Sequence, residues 1–286
     1  MTNNAFEQFN KRVSELLTIG KPKIAFGLSA EDPEILESLR RSSEYADIIL
    51  VGTDRIKNIE GFQIVINEKP EEKITKMLVD GEVDGIVRGT IDDFKTIEAY
   101  GKLTGESYSE DSPFIMEDVS GNRFFLSPVS NPQGWDKEYR LRIARGLVNF
   151  AKEWKIVYKV AIFTGVRHET YQRKKENRDG VVGLLNGTYE DAEWIINELK
   201  KENIDAKNWA IDLDLAVKAG YNILIPVNGM VGNYIFRTLL LCGGKVITGT
   251  LFGLSHFFED NSRNEKDFDF HIKWLVAFIN KKRQKS

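Results

Sequence analysis

Ser262 and Arg263 are adjacent, and Asp269 follows seven positions after Ser262. A hydroxyl, a guanidinium and a carboxylate in such a set can orient a phosphorylated substrate and remove one proton. Asp269 also reads as an early-turn helix carboxylate that satisfies the helix dipole. The residue types alone leave both readings open.

A second candidate lies upstream. Asn228, Gly229, Gly232 and Asn233 form a glycine-bearing turn between an apolar strand at Asn222–Pro226 and a helix expected over Tyr234–Leu241. Glycines let a backbone approach a ligand closely, and Asn233 can cap the helix or donate to a phosphate or carbonyl oxygen. The alternative is a turn that needs positive φ. A third candidate is the stretch Arg88, Gly89, Thr90, which ends one strand and opens a helix. Thr90 is expected as its N-cap with Asp93 at N3, and the free N–H groups there suit an anion, with Arg88 and Lys95 adding charge. An ordinary strand–helix turn with a solvated Arg is the competing reading. The fourth candidate is a basic loop from Arg167 to Arg178, placed inside a polar stretch over Thr164–Asn186. It is either a clamp for an anion or a solvated loop.

Other chemistries lack their residues. The chain has three histidines and one cysteine, so no dedicated transition-metal site is expected. Cys242 falls in an apolar segment and reads as a core residue rather than a nucleophile. The sequence has no phosphate-binding loop, nucleophile elbow, zinc-protease helix or dinucleotide fingerprint.

These candidates require scaffolding, and the apolar pattern supplies it. Strands are expected at Ile24–Gly27, Asp47–Val51, Phe62–Ile66, Val83–Val87 and Val160–Phe163. Helices are expected between them, including one capped by Asp32 with Pro33 at its first position. Buried strands flanked by helices indicate a parallel sheet covered on both faces. Residues 113–126 read as a β-hairpin with a Gly-Asn turn. A helix from about Asp136 to Trp154 follows, then one opened by Thr188 and Asp191. The last helix spans Phe268–Asn280, with a frayed tail over 281–286. This divides the chain into one α/β domain over 1–112 plus 250–286 and a second over 113–249.

The bulk properties bound the class. The chain has 286 residues, 42% apolar and 29% charged, with a formal charge of −3. No global basic field argues for nucleic acid, and no apolar run reaches membrane-span length. A single cysteine and the absence of a signal-like N-terminus fit a cytoplasmic protein.

At these residues the chain resembles the phosphate acetyl/butyryltransferase family. The resemblance rests on Val231, Gly232 and Asn233, on Gly243 and Gly244, on Asp260, Ser262 and Arg263, and on the spacing to Asp269. Residues 83–89 look like that family's glycine-ended strand, with Lys95 at a position where members carry a basic residue. Within the superfamily the chain is similar to the archaeal methanogenesis marker protein 4 group, also called MtxX or methyltransferase subunit X. Residues 164–167 and 227–239 carry that likeness.

The resemblance implies a two-domain, isopropylmalate dehydrogenase-like α/β fold with a central cleft, and homodimers. It implies a transferase with a small anionic substrate, coenzyme A or a phosphorylated ligand, and a methyltransferase complex as partner. Asp269 would deprotonate a thiol, with Ser262 and Arg263 positioning the substrate. Acyl transfer between coenzyme A and phosphate, and a non-catalytic anion-binding role, are the alternatives. Three features depart from the family pattern: Asn264 after Ser-Arg, residues 127–131 in place of an Asp-x-Ala segment, and the basic 167–178 loop.

Overall fold

The computed structural model describes residues 5–106, 114–129, 134–249, 254–261 and 265–284. Ser262 and Arg263 lie outside them. In chain order the elements are α1 (Glu7–Leu17), β1 (Lys23–Gly27), α2 (Pro33–Ser42), β2 (Asp47–Gly52), β3 (Gln63–Ile66), α3 (Pro70–Val79), β4 (Gly85–Val87) and α4 (Asp93–Thr104). Then come β5 (Phe114–Glu117), β6 (Arg123–Leu126), α5 (Lys137–Glu153), β7 (Val160–Phe163), α6 (His168–Lys174), α7 (Gly180–Lys201) and β8 (Ala206–Ala210). The chain closes with α8 (Leu213–Lys218), β9 (Ile223–Ile225), α9 (Gly229–Leu241), β10 (Lys245–Thr248), β11 (Phe257–Glu259) and α10 (Asp269–Arg283).

The chain forms two compact units, one comprising residues 1–10 and 113–246 and the other 11–112 and 247–286. The second holds a five-stranded parallel sheet in the order β11-β4-β1-β2-β3. Period-2 alternation sends Ile24, Phe26, Ile48 and Leu50 to a core with α2 and α10, and Ala25, Ile49 and Val51 to a core with α3 and α4. Both faces are therefore covered, as continuous apolar strands require. Gly27 and Gly89 sit where backbones nearly touch. A Cβ on Gly89 would meet Gly27 O at 2.1 Å, and Gly89 has φ +63°.

The other unit holds a six-stranded sheet in the order β10-β5-β6-β9-β7-β8. β5 and β6 form the expected antiparallel hairpin, while β6, β9, β7 and β8 run parallel. The Asp118 carboxylate accepts from Ser120 N and Asn122 N, which fixes the hairpin turn with Gly121 at φ +77°. One face packs Phe114, Met116, Phe124 and Leu126 with Phe236 of α9. On the other, Phe125 meets Phe6 and Phe150 at centroid distances of 5.8 and 5.6 Å.

Several expectations need correction. The polar stretch 164–186 is not a loop: it holds α6 and the first turns of α7, which starts at Gly180 rather than at Thr188. α9 starts at Gly229, five residues before the expected Tyr234, because Asn228 caps it. Asp92, not Thr90, caps α4, accepting from Lys95 N at 2.9 Å. Cys242 is exposed, because it closes α9 beyond the buried stripe. α10 continues through Lys281 and Lys282 to Arg283, where cations complement the helix dipole.

Candidate functional site

A buried polar cluster gathers at the C-terminal edge of the five-stranded sheet, where parallel α/β sheets bind ligands. β11 ends on Glu259, in register with Val87 of β4. The Glu259 carboxylate is buried and accepts from Thr248 Oγ1 at 3.0 Å, Gly249 N at 2.8 Å and His271 Nδ1 at 2.6 Å. His271 Nε2 lies 3.9 Å from Glu265 Oε2, ion-pair range but beyond a hydrogen bond. Burial of His271 favours its neutral form, but Glu259 and Glu265 outweigh this and push it up to about 9. His271 is thus an imidazolium at neutral pH. Glu265, two-sidedly affected by burial and by His271, ends below its ordinary value.

Arg88 organises the same edge. It is buried, and four donations are used: Nε to Asp260 Oδ1, Nη1 to Gly89 O at 3.0 Å and Ile91 O at 3.1 Å, and Nη2 to Asn261 O. Asn261 answers with two bonds to Gly89, from Nδ2 to O at 2.9 Å and from Gly89 N to Oδ1 at 3.0 Å. Gly89 must be glycine both for its φ and for this approach. Thr90 Oγ1 accepts from Ser29 N at 2.9 Å and Ser29 Oγ at 3.0 Å, tying β1 and β4 together past their ends. Lys95 is exposed and lines a charged groove of about 520 Å³ with Lys76 and Lys102.

Asp269 does not join that cluster. It opens α10, and its carboxylate accepts from Lys273 Nζ at 2.6 Å, from Ser42 Oγ at 3.2 Å and from Tyr45 Oη. Ser42 ends α2 and Tyr45 lies between α2 and β2, whereas His271, two residues on from Asp269, reaches the end of β11. Burial raises the Asp269 pKa, but Lys273, Tyr45 and Ser42 carry it below the ordinary carboxylate value. Burial, and then the Asp269 carboxylate, raise the Tyr45 phenol, which stays protonated. Asp269 borders a groove of about 650 Å³ with Lys21, Arg41 and Tyr45.

The remaining candidates belong to the other unit. Asn228 caps α9 by accepting from Val231 N at 3.0 Å. Gly232 faces Pro128, whose carbonyl oxygen would lie 1.8 Å from any Cβ. Asn233 donates to Val129 O at 2.9 Å rather than capping the helix. This trio holds α9 against the segment that follows β6. Arg167 precedes α6 and is exposed. Among the described residues no cluster of three or more metal-ligating side chains occurs, and no helix is long and apolar enough to cross a membrane.

Sequence reasoning passed over Glu259, Asn261 and His271. The only signal was local: a histidine that follows Glu259 and Glu265 and sits beside the apolar stripe of the last helix, with β11 too short to announce itself by alternation.

No family model matches the chain. A methyltransferase from Methanocaldococcus jannaschii, described as uncharacterized, is 32% identical over 241 residues, covering 80% of this chain and 92% of its own. The chain belongs to the MtxX family. A Methanosarcina barkeri relative named "Putative methyltransferase mtx subunit X" is 25% identical over 272 residues, 93% of this chain and 97% of that one. The fold of this MtxX-family chain is similar to that of a branched-chain phosphotransacylase from Enterococcus faecalis. That match has a TM-score of 0.65 at 16% identity and covers 90% of this chain and 98% of the other. A Staphylococcus aureus phosphotransacetylase matches with a TM-score of 0.60 at 15% identity, over 97% and 98%. The fold is thus mixed α/β and phosphotransacetylase-like.

Proposed function

We propose that the chain is a methanogenesis-linked transferase subunit of the MtxX type, working on a phosphotransacetylase-like scaffold. Its ligand is a small anionic molecule, coenzyme A or another phosphorylated compound. The site is the C-terminal edge of the five-stranded sheet, with Ser262 and Arg263 as the ligand-contacting residues. The observation that carries this reading is the double bracket around those two residues in the chain. Asp260 and Asn261 are held by Arg88 and Gly89 on one side, and Glu265 faces His271 on the other. Such support is what fixing a hydroxyl and a guanidinium against a substrate requires.

The roles divide accordingly. Ser262 donates to a substrate oxygen, and Arg263 pairs with a phosphate or acyl-phosphate group through its fork. His271 and Arg88 are positioning residues. Asp269 is reassigned: its ionised carboxylate anchors the start of α10 to Tyr45 and Lys273 and is a weak proton acceptor at neutral pH. The relatives' name supports a methyl group as cargo and a methyltransferase complex as partner, and family likeness supports a homodimer. The phosphotransacylase-like fold supports acyl transfer to phosphate as the second reading.

The test is calorimetric titration of coenzyme A and of acetyl phosphate into wild type and Arg263→Ala, with thiol release from acyl-coenzyme A and phosphate followed in parallel. Loss of a charge-assisted pair should weaken binding by about 1.5–3 kcal/mol. Thiol release that disappears in Ser262→Ala would establish acyl transfer, and binding without thiol release favours the methyl reading. An unchanged dissociation constant in Arg263→Ala would remove that residue from the site.

A further inference from the structure

One edge of the six-stranded sheet is open. β8 stands last in the strand order, and among the described residues it pairs only with β7. Val160 of β7 lies opposite Ala206, and its N–H donates to Asp205 O. In a parallel ladder a residue bonds to the two that flank its partner. Ala206, and Asn208 opposite Ile162, therefore turn their N–H and C=O groups away from β7. Such a row is a template for another strand.

A groove of about 420 Å³ follows this edge. All of β8 lines it, together with Glu193, Ile196 and Lys200 of α7. The Asn208 side chain turns to α7, where its Nδ2 donates to Glu193 Oε1 at 2.8 Å. Lys207 and Trp209 share the other face of the strand, with Lys207 Nζ 4.1 Å from the centroid of the Trp209 ring. Charge is sorted along the groove. Lys200 precedes β8 and Lys207 lies in its first half, and neither has an ion pair among the described residues. Asp212 follows β8, and Glu169 belongs to the helix that follows β7, so the acids mark the other end. A second copy of the chain fits this edge poorly. Bonding Ala206 to Asn208 of that copy about a two-fold axis sets Lys207 against its own image, and like charges directly opposite are destabilising.

We propose that the β8 edge docks an extended segment of a partner protein as a further strand, with acidic side chains beside Lys200 and Lys207 and a basic one beside Glu169 and Asp212. Main-chain bonds to Ala206 and Asn208 supply affinity, and the charges select the segment and its direction. The surface uses no residue of the Ser262–Arg263 reading and stands without it.

Two capped, dye-labelled peptides, Glu-Val-Glu-Val-Thr-Val-Lys and its reverse Lys-Val-Thr-Val-Glu-Val-Glu, cover the parallel and antiparallel directions. Lys-Val-Lys-Val-Thr-Val-Lys is the charge control. Each is titrated with the full-length protein by fluorescence anisotropy. One of the first two should bind, with the control about 10-fold weaker or worse, and hydrogen exchange over residues 204–212 should slow on binding. Ala206→Pro removes an outward N–H and leaves the β7 ladder intact, a change that edge strands tolerate. It should weaken binding by about 10-fold. Lys207→Glu tests the charge independently of the proline: it should weaken the acidic peptide by about 10-fold and strengthen the control. No binding of either acidic peptide to wild type, or wild-type affinity in both variants, would overturn the proposal. So would a wild-type dimer in analytical ultracentrifugation that Ala206→Pro dissociates, which would assign the edge to a second copy.

Discussion

His271 Nδ1 lies 2.6 Å from Glu259 Oε1, and neither side chain has solvent exposure. The pair joins the end of β11 to the first turns of α10, and Thr248 and Gly249 complete the carboxylate's acceptor sites. An ion pair so deeply buried is costly to assemble and costlier to break on one side. It therefore makes the stability of this unit depend on pH.

The sign follows from the direction of the shift. The folded His271 value is raised from 6.5 to about 9, so its stabilisation is complete below pH 6.5 and is lost as pH rises through about 9. The loss should be on the order of 3 kcal/mol. Urea unfolding at a series of pH values from 6 to 10 reads it directly, with His271→Gln as the control that flattens the profile. A wild-type profile as flat as the variant's would show that the pair is not charged.

Arg88 should be irreplaceable by lysine. Its planar fork serves Asp260, Gly89, Ile91 and Asn261 together, which a single ammonium cannot do. Arg88→Met should cost about 3–5 kcal/mol, because Asp260 and three carbonyls lose their donor. Arg88→Lys should recover less than half of that in denaturant unfolding. Full recovery by lysine would mean that charge alone, and not the fork, holds the edge.

Gly232→Ala probes the packing of α9. Its Cβ would stand 1.8 Å from Pro128 O, a backbone atom that cannot rotate away. Forcing the helix off this seat should cost about 1–3 kcal/mol or more. Gly146, with open space around it, is the matched control, and Gly146→Ala should be neutral or stabilising on the solvent side of α5. Equal stabilities of the two variants would contradict the described contact.

The parallel sheet of the second unit was legible in the sequence because β1, β2 and β4 are apolar on both faces and bounded by glycine or a capped helix. The hairpin was legible from its turn. The 164–186 stretch was not, because α6 has no buried residue and so carries no apolar stripe to betray a helix. β11 was missed since three residues cannot show a period. The same limit applies to the site. Arg88 was singled out for its charge, yet its donors turn inward to Asp260 and Asn261. Asp269 and His271, two positions apart on α10, fall about 200° apart around the helix, so the spacing does send them to opposite sides, but it does not tell what each side meets. Partners such as Tyr45 and Glu259 are brought to α10 only by the tertiary fold.

Asp269→Asn separates the two roles that the sequence left open. The carboxylate is held by Lys273 at 2.6 Å, by Ser42 and by Tyr45, and these outweigh burial to keep it ionised below its ordinary pKa. A depressed carboxylate stabilises the fold above its unfolded pKa and loses that contribution as pH falls through the folded value. Lys273 is 36% exposed, so solvent screens part of the attraction. The substitution should therefore cost only about 1 kcal/mol at pH 7, with the difference from wild type vanishing towards pH 2. Thermal unfolding of both proteins across that range measures it. If Asp269 is an anchor, the variant keeps any turnover that depends on Ser262 and Arg263. A variant that folds as well as wild type, binds ligand equally and yet loses turnover would return Asp269 to the role of base. In that event the Tyr45 and Lys273 contacts would have to open before each proton transfer, and the rate would rise as the ammonium of Lys273 is removed.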